Sequence, residues 1–355
     1  MSVMTLFETD EDGLTLADAA GRWLDDVYGT DASGFSAEHW KAMAVAGWLG
    51  LRLPEDAGGL GLGVGACLPF ATEFGKAAVV EPVIESAFVA ASLCSKAGAD
   101  GRLLTGLCDG TRIAVLAPSW LDLNAGPGHG GSCTIALVPG GAEVTDLLVP
   151  VRHADGIAAL YLIAAGDAER STYRSMNGGR MSDWKVSLSG AALFSGSKAE
   201  TAIEIAFAER AACHAAQVVG AMRRAIDLTS AYLHERKQFG RPLADFQVLS
   251  HRIGDMTVDW ELSKSAAAIL ANAGGFGFTG LTDRALAHIA RAARLIGERA
   301  IQLHGGMGMT EEMEIGHVFR RLLYLATALG GETAPRTRIA RSIAERAAAE
   351  RGGIS

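Results

Sequence analysis

Apolar positions change their period twice along the chain. Over residues 16–29, LADAAGRWLDDVYG, Leu16, Ala19, Ala20, Trp23, Leu24 and Val27 recur at helical spacing and leave Asp25 and Asp26 for water. AEHWKAMAVAGWLG (37–50) repeats the pattern, with Ser36 placed to cap the helix and Gly50 to stop it. LPEDAGGLGLGVG (53–65) carries too much Pro and Gly for a regular element and predicts a loop, after which helical spacing resumes over about 66–108. From 113 the runs shorten to IAVLA (113–117), CTIALV (133–138), DLLVPV (146–151), AALYLIAA (158–165) and WKVSLSG (184–190). Gly, Asn, Asp and Ser clusters separate them, which suits a small antiparallel sheet or barrel and not βαβ units.

Long Ala-rich helices follow: about 198–234, about 245–273 ending at Gly274-Gly275, about 282–304 stopping at Gly305-Gly306, and about 334–350. Each is apolar over much of its circumference, as the buried helices of a bundle are. The pattern predicts a mainly α fold with a small β domain: an N-terminal helical domain (1–112), a shortened middle antiparallel β domain (113–196) and a C-terminal helical bundle (197–355).

Composition narrows the function classes. With 49% apolar and 20% charged residues the chain can bury a substantial core. Its net charge of −8 repels phosphate backbones, so nucleic acid is not an expected partner. No apolar run is long enough to span a bilayer, and the acidic start MSVMTLFETDEDG does not read as a secretory signal. Cys67, Cys94, Cys108, Cys133 and Cys213 are scattered and odd in number, which predicts reduced thiols in the cytoplasm, with neither a disulfide frame nor a metal site. GGLGLGVG (58–65) does not fit GxGxxG, and no GxxxxGK[ST], HExxH or GxSxG motif is present.

Two stretches carry candidate chemistry. In YLHERKQFGRPLADFQVLSHRIGDM (232–256) a helix runs into Arg236-Lys237-Gln238-Phe239-Gly240, Pro242 breaks it, and Phe246-Gln247 opens the next. Cations and an aromatic at such a bend could grip a diphosphate and stack an adenine; a solvated inter-helix turn is the alternative. In AIQLHGGMGMTEEMEIGHVFRR (300–321) a helix stops at Gly305 and Gly306, with Gln302 one turn earlier. These glycines permit positive φ and close approach to a ligand, or serve only as a helix cap.

RKQFGRPLADFQ resembles the RxxFGxPxxxFQ motif of the acyl-CoA dehydrogenase family, and QLHGGMGMTEE resembles its QxxGGxGxTxE. GWLGLRLPEDAGGLGLG (47–63) is similar to its N-terminal GLLGLxxPEExGGLG. The resemblance covers most of the chain and implies a helical N-terminal domain, a middle β domain and a C-terminal four-helix bundle. It implies FAD as cofactor and an acyl-CoA thioester as substrate, oxidised to the 2-enoyl-CoA by loss of an α-proton to a carboxylate and of a β-hydride to the flavin. By the same resemblance Arg236, Gln238, Phe239, Gln247, Gln302, Gly305 and Gly306 would hold FAD, several of them across a subunit interface. The expected partner is a homologous subunit or a second copy, and the acceptor implied is an electron-transfer flavoprotein.

The sequence departs from that pattern twice. Where the family has a strand like xTEPxxGSD beside the flavin ring, this chain reads VLAPSWLDLNAGPG (115–128). Where many members place the base in YEGT, counting back from Ile339-Ala340-Arg341 reaches Leu329, and Glu332 fits only with a local gap. Other members carry the base in an ER pair on the first helix of the bundle, which makes Glu209, beside Arg210, the candidate here; the alignment places it one residue early, about 100° on a helix. Three readings stay open: an active dehydrogenase using Glu209, a non-catalytic subunit supplying adenine-side contacts to a heteromer acting on a bulky, steroid-like acyl group, and a flavin-free binding protein.

Overall fold

The computed structural model describes residues 11–28, 34–123, 132–188, 190–272 and 280–352. Helices α1 (Glu11–Val27), α2 (Ala37–Val45), α3 (Val64–Lys76), α4 (Ala91–Lys96) and α5 (Gly101–Cys108) come first. Strands β1 (Ala114–Leu116), β2 (Leu121–Asp122), β3 (Ser132–Pro139), β4 (Asp146–Arg152), β5 (Ala158–Ala164), β6 (Glu169–Arg174), β7 (Arg180–Ser187) and β8 (Phe194–Ser195) follow. Then come α6 (Ser197–Glu235), the hairpin of β9 (Lys237–Gln238) and β10 (Arg241–Pro242), and helices α7 (Gln247–Asn272), α8 (Gly280–His304), α9 (Glu314–Ala328) and α10 (Thr333–Gly352). The helix–sheet–helix order is the expected one, and the expected stop at Gly274-Gly275 lies outside the described residues.

Three local expectations change. The helix expected over 37–50 is capped by Ser36, whose Oγ accepts from His39 N at 3.2 Å, but it ends early because Gly47 takes φ +78° before a 3-10 turn at Trp48–Gly50. The helical stretch 66–108 is broken, and Ile84–Ala90 is a π-helix whose seven residues are all buried. Helix α9 falls between the stop at Gly305-Gly306 and the helix expected from about 334, where no helix was named; its Ile315, Val318, Leu322 and Leu325 share one buried face.

Contacts divide the chain into two compact units. The first comprises Ala32–Cys67 and Val80–Arg210. Its main sheet runs β1-β4-β5-β8, with β2 also on β4. Strands β1 and β2 lie parallel to β4, whereas β5 and β8 pair antiparallel. Antiparallel pairing alone was expected. Parallel pairing needs a long crossover, which the chain between β1 and β4 provides. The second sheet, β3-β7-β6, is antiparallel and buries Trp184, whose Nε1 donates to Ser182 Oγ at 2.9 Å. Strand β6 is exposed along its whole length, so ERSTYR shows no apolar period to betray it.

The second unit comprises Met1–Asp31, Leu68–Val79 and Ala211–Ser355. Helices α6, α7, α8 and α9 close on one another as a bundle. Trp260 Nε1 of α7 donates to Val219 O of α6 at 3.1 Å, α8 packs against α7 and α9, and Arg224 of α6 grips Glu314 of α9 at 2.6 and 2.9 Å. Helix α10 lies on α8, tied by Arg338 to Asp283 at 2.7 Å. Helices α3 and α6 touch backbone to backbone: a Cβ on Gly75 would sit 2.0 Å from Gln217 O, and one on Gly220 2.0 Å from Thr72 O.

Candidate functional site

The bend after α6 is a tight hairpin. Gln238 pairs with Arg241, and Phe239 and Gly240 form its tip with φ +53° and +80°. Leu243 N donates to Arg236 O at 2.9 Å, so Arg236 sits at the base of the hairpin. A β-branched or bulky residue at positive φ is a strained one, and the ring of Phe239 is 89% exposed in addition. Phe246 meets it edge-on at 6.0 Å between centroids, and the guanidinium of Arg241 lies 4.2 Å over the Phe246 ring. The tip is thus an aromatic plate braced from below. Gln247 opens α7 and lies 3.4 Å from His251 Nε2.

Helix α8 ends at His304, and Gly305 turns with φ +62° into a 3-10 turn through Met309. A Cβ on Gly305 or Gly306 would meet nothing within 4 Å, so both glycines face open space, and Gln302 beside them is exposed. Gly308 differs: its Cβ would lie 2.9 Å from Ile301 O, so that glycine serves packing. The two stretches are neighbours within one chain. Tyr232, one turn before Arg236, stacks on His304, the residue before Gly305, at 4.5 Å and 24°. Burial pushes the His304 imidazole below its usual value; its Nδ1 lies 2.8 Å from Ala300 O, a bond that works weakly the other way. Neither Tyr232 nor His304 stands out by residue type, although each lies inside one of the two stretches that carry candidate chemistry.

An exposed aromatic at a rigid turn, cations beside it and open glycines nearby suit the adenosine diphosphate end of a dinucleotide. Arg236, Gln238, Phe239, Gln247, Gln302, Gly305 and Gly306 all belong to the unit that carries these two stretches.

Glu209, on α6, is enclosed. Arg52 Nη2 binds its Oε1 at 2.7 Å, Lys96 Nζ stands 3.8 Å from the same oxygen, and Oε2 is buried with no hydrogen-bond partner. The side chains of Arg52 and Glu209 are 5% and 11% exposed. Arg52 Nη2 also donates to Ser92 Oγ at 2.9 Å, while its Nε is buried and unpartnered. Burial pushes the Cys67 thiol up to about 12, with Arg52 pulling it down and Glu209 adding to the rise. The sequence carried a signal for Arg52, a lone cation inside the apolar run GWLGLRLP.

The segment after β1 is also occupied. Arg210 donates to three successive carbonyls, Leu116 O at 3.2 Å, Ala117 O at 3.1 Å and Pro118 O at 2.7 Å. Trp120 Nε1 donates to Glu204 Oε1 at 2.9 Å, Arg152 lies 4.2 Å over the Trp120 ring, and Phe207 meets that ring edge-on at 6.2 Å. Residues 116–120 are therefore tied to α6, and 124–128 lie outside the described residues. This stretch keeps Pro118 but has Leu116 and Ala117 where the pattern has Thr and Glu.

Leu329 is buried at the C-cap of α9. Glu332 is held by Arg294 at 2.9 and 3.1 Å and by Arg336 at 3.1 Å. Among the described residues no cluster of His, Cys, Asp and Glu could hold a metal, and no helix is long and apolar enough to cross a membrane. All five cysteines are free.

Residues 16–100 match the model of the acyl-CoA dehydrogenase N-terminal domain, and residues 200–344 that of the acyl-CoA dehydrogenase C-terminal domain. The chain belongs to the acyl-CoA dehydrogenase family. It is similar to the acyl-CoA dehydrogenase FadE27 of Mycobacterium tuberculosis, 26% identical over 88% of this chain and 89% of the relative. It is also similar to the acyl-CoA dehydrogenase IpdE2 of the same organism, 25% identical over 81% of each. Among solved structures it superposes on the Tcur3481-Tcur3483 steroid ACAD with a TM-score of 0.81 at 28% identity, over 95% of this chain and 99% of that one. The ChsE4-ChsE5 complex from Mycobacterium tuberculosis shares the fold, with a TM-score of 0.82 at 24% identity over 97% and 99%. Acyl-CoA dehydrogenases are flavin-dependent oxidoreductases that generally bind FAD, and this chain is such an enzyme or a subunit of one.

Proposed function

We propose that this chain is one subunit of an oligomeric, FAD-dependent dehydrogenase of acyl-CoA thioesters, in which it supplies adenine-side contacts while a homologous subunit supplies the flavin-ring contacts and the base. The observation that carries this reading is the pairing of Glu209. Arg52 at 2.7 Å and Lys96 at 3.8 Å both claim Oε1 of this carboxylate, whereas a base that removes an α-proton needs an oxygen open to the substrate. The segment 116–120, tied to α6 by Arg210, Trp120 and Arg152, supports it further. Phe239 would stack the adenine, Arg236 and Gln238 would meet the diphosphate, and Gln302, Gly305 and Gly306 would line the approach. FAD supplies the hydride acceptor when bound. Two of the matched structures, Tcur3481-Tcur3483 and the ChsE4-ChsE5 complex, have two components, and the first is a steroid ACAD, which supports a homologous partner and a bulky, steroid-like acyl group. Electron-transfer flavoprotein is the acceptor this reading takes from the family.

The test is Glu209→Gln in the assembled enzyme, read by exchange of the substrate α-proton with deuterated water. Exchange at the wild-type rate supports the partner's base. Lost exchange in an enzyme that still assembles and keeps its flavin supports the second reading, Glu209 as base, which the buried and unpartnered Oε2 favours. Visible flavin absorbance of the chain alone, and then with a homologous subunit, separates both from a flavin-free protein.

A further inference from the structure

Three Lys or Arg residues are buried among the described residues: Arg52, Lys264 and Arg321. Arg52 has Glu209 at 2.7 Å and Lys264 has Glu261 at 2.9 Å. Arg321, on α9 and 5% exposed, has no carboxylate and no hydrogen-bond acceptor among the described residues, and its Nε is completely enclosed. Among the described residues the one ring its charge meets is that of Tyr324, 5.4 Å from the guanidinium carbon and near the outer limit for a cation–π attraction.

A guanidinium taken out of water without a counter-ion is strongly unfavourable, and an anion that arrives from elsewhere would relieve it. A planar fork of donors selects a carboxylate or a phosphate. Arg321 is packed into its own bundle on nearly all sides, so only a small group at the end of a side chain can reach it. That favours an inserted carboxylate over a cofactor phosphate.

We infer that Arg321 receives a carboxylate from the homologous subunit of the assembled dehydrogenase, and that this ion pair is a specific anchor of the oligomer. The inference rests on the two-subunit reading above and names a contact within it. Completing the pair removes the cost from the isolated chain, so the same residue weakens the free subunit and strengthens the assembly.

The experiment compares wild type, Arg321→Met and Arg321→Lys, each alone in thermal unfolding and each with the homologous subunit in sedimentation equilibrium. Arg321→Met should melt higher than wild type when alone and should raise the dissociation constant of the assembly roughly tenfold or more, with Arg321→Lys in between. A lower melting temperature for isolated Arg321→Met would mean a partner inside the chain and overturns the inference. So does an unchanged dissociation constant while wild type assembles normally; the two-subunit reading then survives. Flavin loss with intact assembly would assign the anion to the cofactor, and weakened self-association alone would assign it to a second copy; either overturns it. If wild type assembles with no homologous subunit, both readings fall together.

Discussion

Arg52 Nη2 reaches Glu209 Oε1 at 2.7 Å across 157 residues of sequence. Arg52 is buried and the Glu209 side chain is 11% exposed, and each keeps one orphan atom, Arg52 Nε and Glu209 Oε2. The pair holds the loop after α2 to the first half of α6 within one unit.

Arg52→Met leaves a buried carboxylate with only half-exposed Lys96 nearby, and Glu209→Leu leaves a buried guanidinium. Each single change should cost about 3–5 kcal/mol in denaturant unfolding, and the double change much less than their sum. Additive losses would show that the two residues are not coupled.

Phe239→Ala removes a plate that is almost wholly in solvent, so the melting temperature should barely move. Stacking a base on an aromatic contributes about 1–3 kcal/mol, so FAD retention by the assembled enzyme should fall between about 5-fold and 150-fold. Flavin titration after deflavination checks it.

Burial lowers the proton affinity of His304 below that of a free imidazole near 6.5. The unfolded chain therefore binds this proton more readily than the folded one. The contribution to stability is fully present above about pH 6.5 and is lost as the pH falls through that value towards the folded one. Denaturant unfolding at neutral and mildly acidic pH should show this decline, and His304→Gln should flatten it.

Gly75→Ala or Gly220→Ala would gain up to about 1 kcal/mol of helix propensity. The new methyl, 2.0 Å from a backbone oxygen, forces α3 and α6 apart, and overpacking of this kind costs about 1–3 kcal/mol or more. The clash decides the sign, so both variants should melt below wild type.

Much of this was legible beforehand. The Ser36 cap, the long helices and the stop at Gly305 follow from local chemistry, and the sequence displays it. The aromatic tip at Phe239 was readable because Gly240 and Pro242 punctuate it. The ion pair of Glu209 was not, because its partner comes from a loop 157 residues away and no period marks it. Helix α9 was missed because Gly305, Gly306, Gly308 and Gly316 hid an apolar stripe that begins only at Ile315. The open side of Gly305 and the closed side of Gly308 differ by packing alone, which residue type cannot reveal.

The buried couple of Arg52 and Glu209 also constrains how such a gene can change. Arg52 falls at an unspecified place in the N-terminal pattern, so nothing in the shared motif protects it. Yet losing either member first strands its mate, and a marginally stable protein tolerates few steps of that size. Lineages descending from this chain should keep both or shed both, and the shedding requires two codons to move almost at once.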